Sequence, residues 1–156
     1  MDKPKVYIVD DSLMFRAMLE TMVSREPAFE ICGIATNADE AVAEVGWLLP
    51  DIILLDLNFR VGMSGLAFLD AIEGHWHAMN IIIVSADARR ETEICDRAFA
   101  RGAVACFDKA QVMTSGRELI ALMYDLAGVG PEQWPVWKPA LARSFSRAIT
   151  LPGLRH

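Results

Sequence analysis

The sequence predicts an α/β protein built on a doubly wound, five-stranded parallel sheet. Short apolar runs alternate five times with longer segments whose apolar residues recur at helical spacing. The apolar runs are continuous rather than alternating, which is typical of strands covered by helices on both faces. Four of the five runs are followed by polar or charged residues, and in a parallel sheet these positions share one edge.

The boundaries of the predicted elements follow from residues that start or stop helices. Pro27 stops the first helix, Asn37 is a favourable N-cap for the second, and Gly102 is a favourable C-cap for the fourth. The predicted strands span residues 5–10, 30–36, 51–56, 80–85 and 104–108. The predicted helices span residues 12–25, 38–48, 65–74, 89–101 and 115–127.

The first predicted helix carries a stripe of mostly apolar side chains. Methionines dominate this stripe, and their spacing of four residues places them on one face of a helix. The stripe consists of Leu13, Met14, Ala17, Met18, Thr21 and Met22. We expect it to pack in the core rather than to form a cofactor site.

The composition fits one folded domain with an appendage. Hydrophobic residues make up 53% of the 156 residues, yet no apolar run reaches the roughly 18–20 residues that span a bilayer. Asp10 and Asp11 interrupt the N-terminal apolar segment, so we expect no signal peptide and a cytoplasmic location. Because Cys32, Cys95 and Cys106 are odd in number and scattered, free thiols are expected.

Charge divides the chain into two parts. Residues 1–127 carry 11 basic and 20 acidic side chains, a net charge of −9, whereas residues 128–156 carry four basic and one acidic, a net charge of +3. The acidic body argues against direct nucleic-acid binding. We therefore expect one domain over residues 1–127 and a basic tail over residues 128–156.

The tail contains several prolines and two of the four tryptophans, Trp134 and Trp137. A short amphipathic helix is predicted from Pro139, with an apolar face made of Leu141, Phe145, Ala148 and Ile149. An isolated helix of this length is marginal in water, so the tail should dock on a surface. The opposite net charges favour docking on the acidic body or on a second copy of it, and a membrane surface is disfavoured because the helix is short.

The polar residues at the strand ends are of types that suit phosphoryl chemistry. Asp10 and Asp11 follow the first strand, Asp56 the third, Ser85 the fourth and Lys109 the fifth. Each residue alone has a simpler explanation, as a helix cap or as a solvated charge. Together, three carboxylates, a hydroxyl and an ammonium predict a site for a divalent metal and a phosphoryl group.

The motifs that contain these residues resemble those of a known family. The segments VYIVDDS, IILLDLNF, GMSGLAFL, IIIVSAD and GAVACFDKA resemble the receiver domain of two-component response regulators, which is CheY-like, with similarity also to CheB receivers. The resemblance covers about residues 3–127. It implies the flavodoxin-like strand order 2-1-3-4-5, which periodicity alone cannot supply.

The resemblance also implies roles for the site residues. Asp56 would accept a phosphoryl group from the phosphohistidine of a histidine kinase or phosphotransfer protein, and Lys109 and Ser85 would contact the transferred group. Mg²⁺ would be held directly by the side chains of Asp11 and Asp56 and by the backbone carbonyl of Asn58, and Asp10 would act mainly through a metal-bound water. Signalling would then proceed through a downstream protein or a homodimer, by the face formed by the fourth helix, the fifth strand and the fifth helix. We expect the tail to pack against that face.

The chain departs from the family at positions around the site. Cys106 stands where an aromatic switch residue is usual, and Phe107 should face the opposite side of the strand. Ala110 stands where the family usually has a proline after a cis peptide bond. Because a cis bond before a residue other than proline is costly, the loop after Lys109 is either strained or trans with a different shape. The loop at 57–64 is one residue longer than usual.

These observations favour a stand-alone receiver that acts through protein contacts and is not a turnover enzyme. A non-switching, receiver-like binding module is one alternative, and a receiver fragment of a longer regulator is another. Enzyme classes with related folds are disfavoured. The segment VDDS lacks the D-x-D pattern of haloacid-dehalogenase-type phosphatases, and no glycine-rich phosphate loop follows the first strand.

Overall fold

The computed structural model describes residues 2–74, 79–86 and 92–141. Its strands are β1 (Lys5–Val9), β2 (Glu30–Ala35), β3 (Ile52–Leu55), β4 (Asn80–Ser85) and β5 (Ala105–Asp108). Its helices are α1 (Leu13–Ser24), α2 (Ala38–Leu48), α3 (Gly65–Ala71), α4 (Thr92–Ala100), α5 (Lys109–Thr114), α6 (Arg117–Leu126) and α7 (Lys138–Leu141), with a 3-10 turn at Pro131–Gln133.

The five strands form one parallel sheet in the order β2-β1-β3-β4-β5, which confirms the predicted fold. Successive residues of the strands point to opposite faces of the sheet and pack into two separate apolar layers. The first layer packs against α1, α5 and α6, and the second packs against α2, α3 and α4. Both faces of the sheet are therefore covered, which is why the central strands read as continuous apolar runs.

The fifth predicted helix corresponds to α6, and a short helix that was not predicted, α5, precedes it. The Asp108 side chain accepts a hydrogen bond of 2.9 Å from the Ala110 backbone N–H and caps α5, which starts six residues earlier than the predicted 115. Ser115 then leaves helical geometry, and α6 begins after Gly116. The Lys109–Ala110 peptide is trans, so this segment enters a helix directly.

The predicted core face of the first helix was wrong by one residue in phase. Phe15, Leu19 and Val23 are the buried positions, whereas Met14 is 73% exposed. The Ser12 hydroxyl fixes this phase because it accepts a hydrogen bond from the Phe15 N–H. Met18 and Met22 pack only at the edge of the core. The prediction was wrong because it placed the core face on the methionines.

The expectation of three free thiols is also wrong. A disulfide joins Cys95 of α4 to Cys106 of β5, and Cys32 is free. Strand alternation explains the pairing, since Cys106 faces the layer that contains α4 while Phe107 faces the layer that contains α1. The predicted opposite orientation of these two strand residues is confirmed.

The described part of the tail packs on the layer of α1 and α6. Trp134 and Trp137 contact that layer, and the Trp134 Nε1–H donates a hydrogen bond of 2.8 Å to the Val129 carbonyl. The Lys138 ammonium pairs with Asp125 at 2.6 Å and lies 3.4 Å from the centroid of the Trp134 ring. These residues therefore contact the predicted fifth helix, which is α6, as expected, but they lie on its α1 side and not on its α4 side. Most of the predicted amphipathic helix, from residue 142 onward, lies outside the described residues.

None of the helices in the described part of the chain combines the length and the hydrophobicity that spanning a bilayer requires.

Candidate metal and phosphoryl site

The site lies at the carboxyl edge of the sheet, where backbone pairing continues into the acidic residues themselves. The Asp56 N–H donates a hydrogen bond of 2.9 Å to the Val9 carbonyl, and the Asp10 N–H donates one of 3.1 Å to the Ala35 carbonyl. Two of the site carboxylates are thus attached to backbone that the sheet holds rigidly. Rigid attachment is what preorganised charge requires.

Asp10, Asp11 and Asp56 form a cluster. One carboxylate oxygen from each residue lies within 4.8 Å of the others. Asp10 is 1% exposed and Asp56 is 4% exposed, whereas Asp11 is half-buried. Three negative charges at this spacing repel one another, and burial strengthens the repulsion. A cation is needed to balance them.

Lys109 supplies one such cation. Its Nζ lies 2.9 Å from Asp10 Oδ2 and 3.1 Å from Asp56 Oδ2. The same Nζ lies 4.6 Å from the centroid of the Phe15 ring, which adds a cation–π contact. Phe15 was not predicted as a residue of the site. Its position as a large aromatic residue three residues after a serine N-cap could have indicated it.

A backbone N–H fixes one oxygen of each carboxylate. The donors are Ser12 N–H to Asp10 Oδ1 at 2.8 Å, Asn58 N–H to Asp56 Oδ1 at 3.2 Å and Arg60 N–H to Asp11 Oδ2 at 3.1 Å. Backbone donors do not move away as side chains do. The carboxylates are therefore held in place before any ligand arrives.

The long loop after β3 is shaped by contacts to neighbouring elements. The Asp39 carboxylate of α2 accepts a hydrogen bond of 3.0 Å from the Met63 N–H and lies against Gly62, whose φ is +80°. At Gly65, a Cβ would lie 2.6 Å from the Asp56 carbonyl oxygen, so only glycine permits this close approach of α3. The loop after β3 is therefore anchored to α2 and close to the Asp56 backbone.

The electrostatics make Asp56 an unusual carboxylic acid. Burial raises its pKa most, Lys109 lowers it, neighbouring Asp10 raises it, and the net pKa is about 6. Burial lowers the pKa of Lys109, but its contacts with Asp10 and Asp56 outweigh burial, and the net shift is upward. Lys109 is therefore a permanent positive charge beside the carboxylates.

The predicted site residues lie close together around one pocket, and Ser85 lies deeper than the pocket lining. A pocket of about 350 Å³ is lined by Asp11, Ser12, Asp56, Asn58, Phe59, Arg60, Ala86 and Lys109. Ser85 is fully buried at the end of β4, and its neighbour Ala86 is the residue that lines the pocket. Contact of the Ser85 hydroxyl with a phosphoryl group stays a prediction.

The donor set fits Mg²⁺. The cluster offers hard carboxylate oxygens, which are the ligands this ion prefers. Asp10 Oδ2 is buried, and among the described residues no donor gives it an aligned hydrogen bond, although the Lys109 ammonium lies nearby. A buried oxygen with spare capacity beside two further carboxylates suits a metal ion or one of its bound waters.

Comparison with known proteins decides the family. The sequence profile described as the response regulator receiver domain matches residues 6–121. The chain belongs to the response regulator receiver family. The receiver domain of CheB from Thermotoga maritima superposes with a TM-score of 0.72 and 25% identity, over 83% of this chain and 100% of that one. The receiver of the putative response regulator NarL from Mycobacterium tuberculosis gives a TM-score of 0.71 with the same coverage of both chains and the same identity.

The similar curated proteins are longer than this receiver. A protein-glutamate methylesterase/protein-glutamine glutaminase of Cereibacter sphaeroides is 33% identical over 90% of this chain and 36% of its own length. A protein of the same description from Myxococcus xanthus is 28% identical over 96% of this chain and 46% of its own length. The chain thus spans less than half the length of these relatives.

Proposed function

We propose that this receiver accepts a phosphoryl group on Asp56 from the phosphohistidine of a histidine kinase or phosphotransfer protein, in a Mg²⁺-dependent reaction. One observation carries the proposal. Asp56 is a rigidly held carboxylate that lies between two further carboxylates and an ammonium, at the edge of the pocket. The family match over residues 6–121 supports the same chemistry.

In the proposed transfer, a carboxylate oxygen of Asp56 attacks phosphorus. The new O–P bond forms as the P–N bond to the donor imidazole breaks, and the imidazole leaves with that electron pair. Because the pKa of Asp56 is about 6, most Asp56 side chains are ionised at pH 7 and able to attack. The Asn58 N–H keeps Oδ1 oriented during the approach.

The other residues stabilise charge on the transferred group. The Lys109 ammonium, already 3.1 Å from Asp56 Oδ2, would contact phosphoryl oxygens, and the Ser85 hydroxyl would donate a hydrogen bond to one of them. The carboxylates of Asp10, Asp11 and Asp56 and the carbonyl of Asn58 would hold Mg²⁺. When bound, that ion neutralises charge on the phosphoryl oxygens.

The product is a modified receiver rather than a released compound, so the protein acts as an acceptor and not as a turnover enzyme on a separate substrate. Its output would be a contact with another protein or with a second copy in the cytoplasm. A second candidate is favoured by the length of the relatives, in which the matching receiver is part of a longer protein. In that case the output would be a neighbouring domain on the same chain.

The proposal is tested by incubating the protein with acetyl phosphate and Mg²⁺ and measuring its intact mass. We expect a gain of one phosphoryl group in the wild type and none in Asp56→Asn, because the amide keeps the shape of the side chain but lacks its nucleophilic charge. Asp70→Asn is the matched control, since Asp70 is an exposed aspartate paired with Arg101 away from the site. An equal mass gain in wild type and Asp56→Asn would show that another residue is the acceptor.

A further inference from the structure

The Cys95–Cys106 disulfide connects two elements, α4 and β5, that are neighbours in the chain of the site residues Ser85 and Lys109. Cys95 lies in α4, the helix that follows β4 and its terminal Ser85. Cys106 lies in β5, three residues before Lys109, and the two cysteines are 11 residues apart in the sequence. The bond therefore links the helix after the site hydroxyl to the strand that delivers the site ammonium.

The fold selects this pair and leaves the third cysteine out. Cys95 and Cys106 are 5% and 4% exposed and lie in the same apolar layer. Cys32 lies on β2, and β2 and β5 are the two edge strands of the sheet. Four strand spacings of about 4.8 Å separate the edges by roughly 19 Å, which is too far for a disulfide between Cys32 and Cys106.

We propose that Cys95 and Cys106 are a second covalent modification site, a thiol–disulfide pair whose oxidation state sets how far phosphorylation moves α4 relative to β5. The inference rests on the proposed phosphorylation of Asp56. A phosphoryl group adds negative charge and acceptor oxygens beside Lys109, and the residues around it must adjust to contact them. That adjustment is the movement that a covalent tie between α4 and β5 restrains.

The two oxidation states differ in what holds α4 in place. In the oxidised protein, a covalent bond limits the separation of α4 and β5, so local contacts at the site cannot slide one element over the other. In the reduced protein, the short connection between α4 and β5 and the packing of their side chains hold the two elements together, and packed elements have alternative arrangements. Phosphorylation should therefore propagate to α4 in the reduced state and stop at the site in the oxidised state.

The exchange reaction balances with a low-molecular-weight disulfide, such as oxidised glutathione, as the oxidant. The thiolate of one cysteine attacks a glutathione sulfur, a mixed disulfide forms, and one glutathione thiolate leaves. The thiolate of the other cysteine then attacks the protein sulfur and expels the second glutathione thiolate. Two electrons pass from the protein to glutathione, and the two thiol protons pass to solvent or to the released thiolates.

The test compares the full chain after treatment with oxidised glutathione and after treatment with a phosphine reductant. Peptide mapping of alkylated protein should find the Cys95–Cys106 disulfide in the first sample and three free thiols in the second. Each sample then receives acetyl phosphate and Mg²⁺, and hydrogen exchange is followed in peptides that cover residues 92–100. We expect phosphorylation to change α4 exchange by at least about threefold in the reduced protein and to leave it nearly unchanged in the oxidised protein.

Two variants separate the bridge from cysteine chemistry in general. Cys106→Ser cannot form the bridge and should respond as the reduced protein does in both treatments, whereas Cys32→Ser should behave as the wild type. Equal α4 responses in oxidised and reduced wild type, with equal phosphoryl adducts, would overturn the redox inference alone. Recovery of both cysteines as free thiols after oxidised glutathione would overturn it as well. Absence of the phosphoryl adduct in every sample would overturn the proposed function, and the coupling with it.

Discussion

Replacing Asp56 by asparagine should stabilise the metal-free protein at neutral pH. The ordinary pKa of an aspartate is 3.8, and that of folded Asp56 is about 6. A shift of roughly two units corresponds to about 3 kcal/mol of free energy by which the folded state disfavours the ionised carboxylate. Asparagine removes that charge while Lys109 keeps its ion pair with Asp10 at 2.9 Å. The unpaired ammonium penalty that usually follows such a substitution is therefore avoided.

The sign of the pH dependence is fixed by the direction of the shift. Because the folded-state pKa is raised, the folded protein binds this proton more tightly than the unfolded chain does between about pH 4 and pH 6. The Asp56 contribution to stability is therefore largest below pH 4 and is lost as the pH rises through 6. The free energy of unfolding of the wild type minus that of Asp56→Asn should show this loss, because the contributions of the other carboxylates cancel in the difference.

The assay is urea unfolding of both proteins in EDTA at pH 5 and pH 7.5. We expect Asp56→Asn to exceed the wild type by about 2–3 kcal/mol at pH 7.5, and by less at pH 5, where Asp56 is mostly protonated. Mg²⁺ at pH 7.5 should narrow the gap by stabilising the wild type. A variant that is no more stable than the wild type at pH 7.5 without metal would refute the electrostatic reasoning.

Mg²⁺ binding, the charge of Lys109 and the packing of the tail can each be tested by substitution. Mg²⁺ at 100 times its Kd should add about 2.7 kcal/mol to wild-type stability, measured as a rise in Tm, and Asp11→Ala should lose this response; an unchanged wild-type Tm would contradict the metal assignment. Lys109→Ala should raise the pKa of Asp56 further and slow its phosphorylation by acetyl phosphate, and an unchanged rate would show that Lys109 stabilises no transferred charge. Trp134→Ala should cost about 2–4 kcal/mol in urea unfolding because the ring packs against the core, whereas Val136→Ala, at a side chain 99% exposed, should cost almost nothing; equal effects would show that the tail contributes no packing.

Sequence reasoning succeeded where one pattern had one structural solution. The continuous apolar strands required helices on both faces, and a parallel sheet then brought Asp10, Asp56 and Lys109 to one edge. The strand order itself came from the family resemblance, because the periodicity of apolar residues does not show which strand lies in the centre of the sheet. Strand alternation also predicted correctly that Cys106 and Phe107 face opposite layers.

Prediction from the sequence failed where tertiary contacts decide between structures that are equally compatible with the local sequence. The phase of α1 depends on the Ser12 cap and on Phe15 beside Lys109, and neither is visible in a methionine stripe. The disulfide needed the packing distance between α4 and β5, which spacing cannot give. The tail packs on the layer of α1 and α6, where the Trp134 ring contacts the core and Lys138 pairs with Asp125, and net charge alone could not predict those partners.

The most direct test of the central claim is chemical mapping of the phosphorylated residue. An acyl phosphate is cleaved by borohydride, and the aspartate that carried it is converted to homoserine, which tandem mass spectrometry locates in the sequence. After treatment with acetyl phosphate and Mg²⁺, followed by borohydride, we expect homoserine at position 56 and at no other aspartate. Homoserine at Asp10 or Asp11 would contradict the assignment of the acceptor, and its absence from every peptide would contradict the phosphoacceptor function.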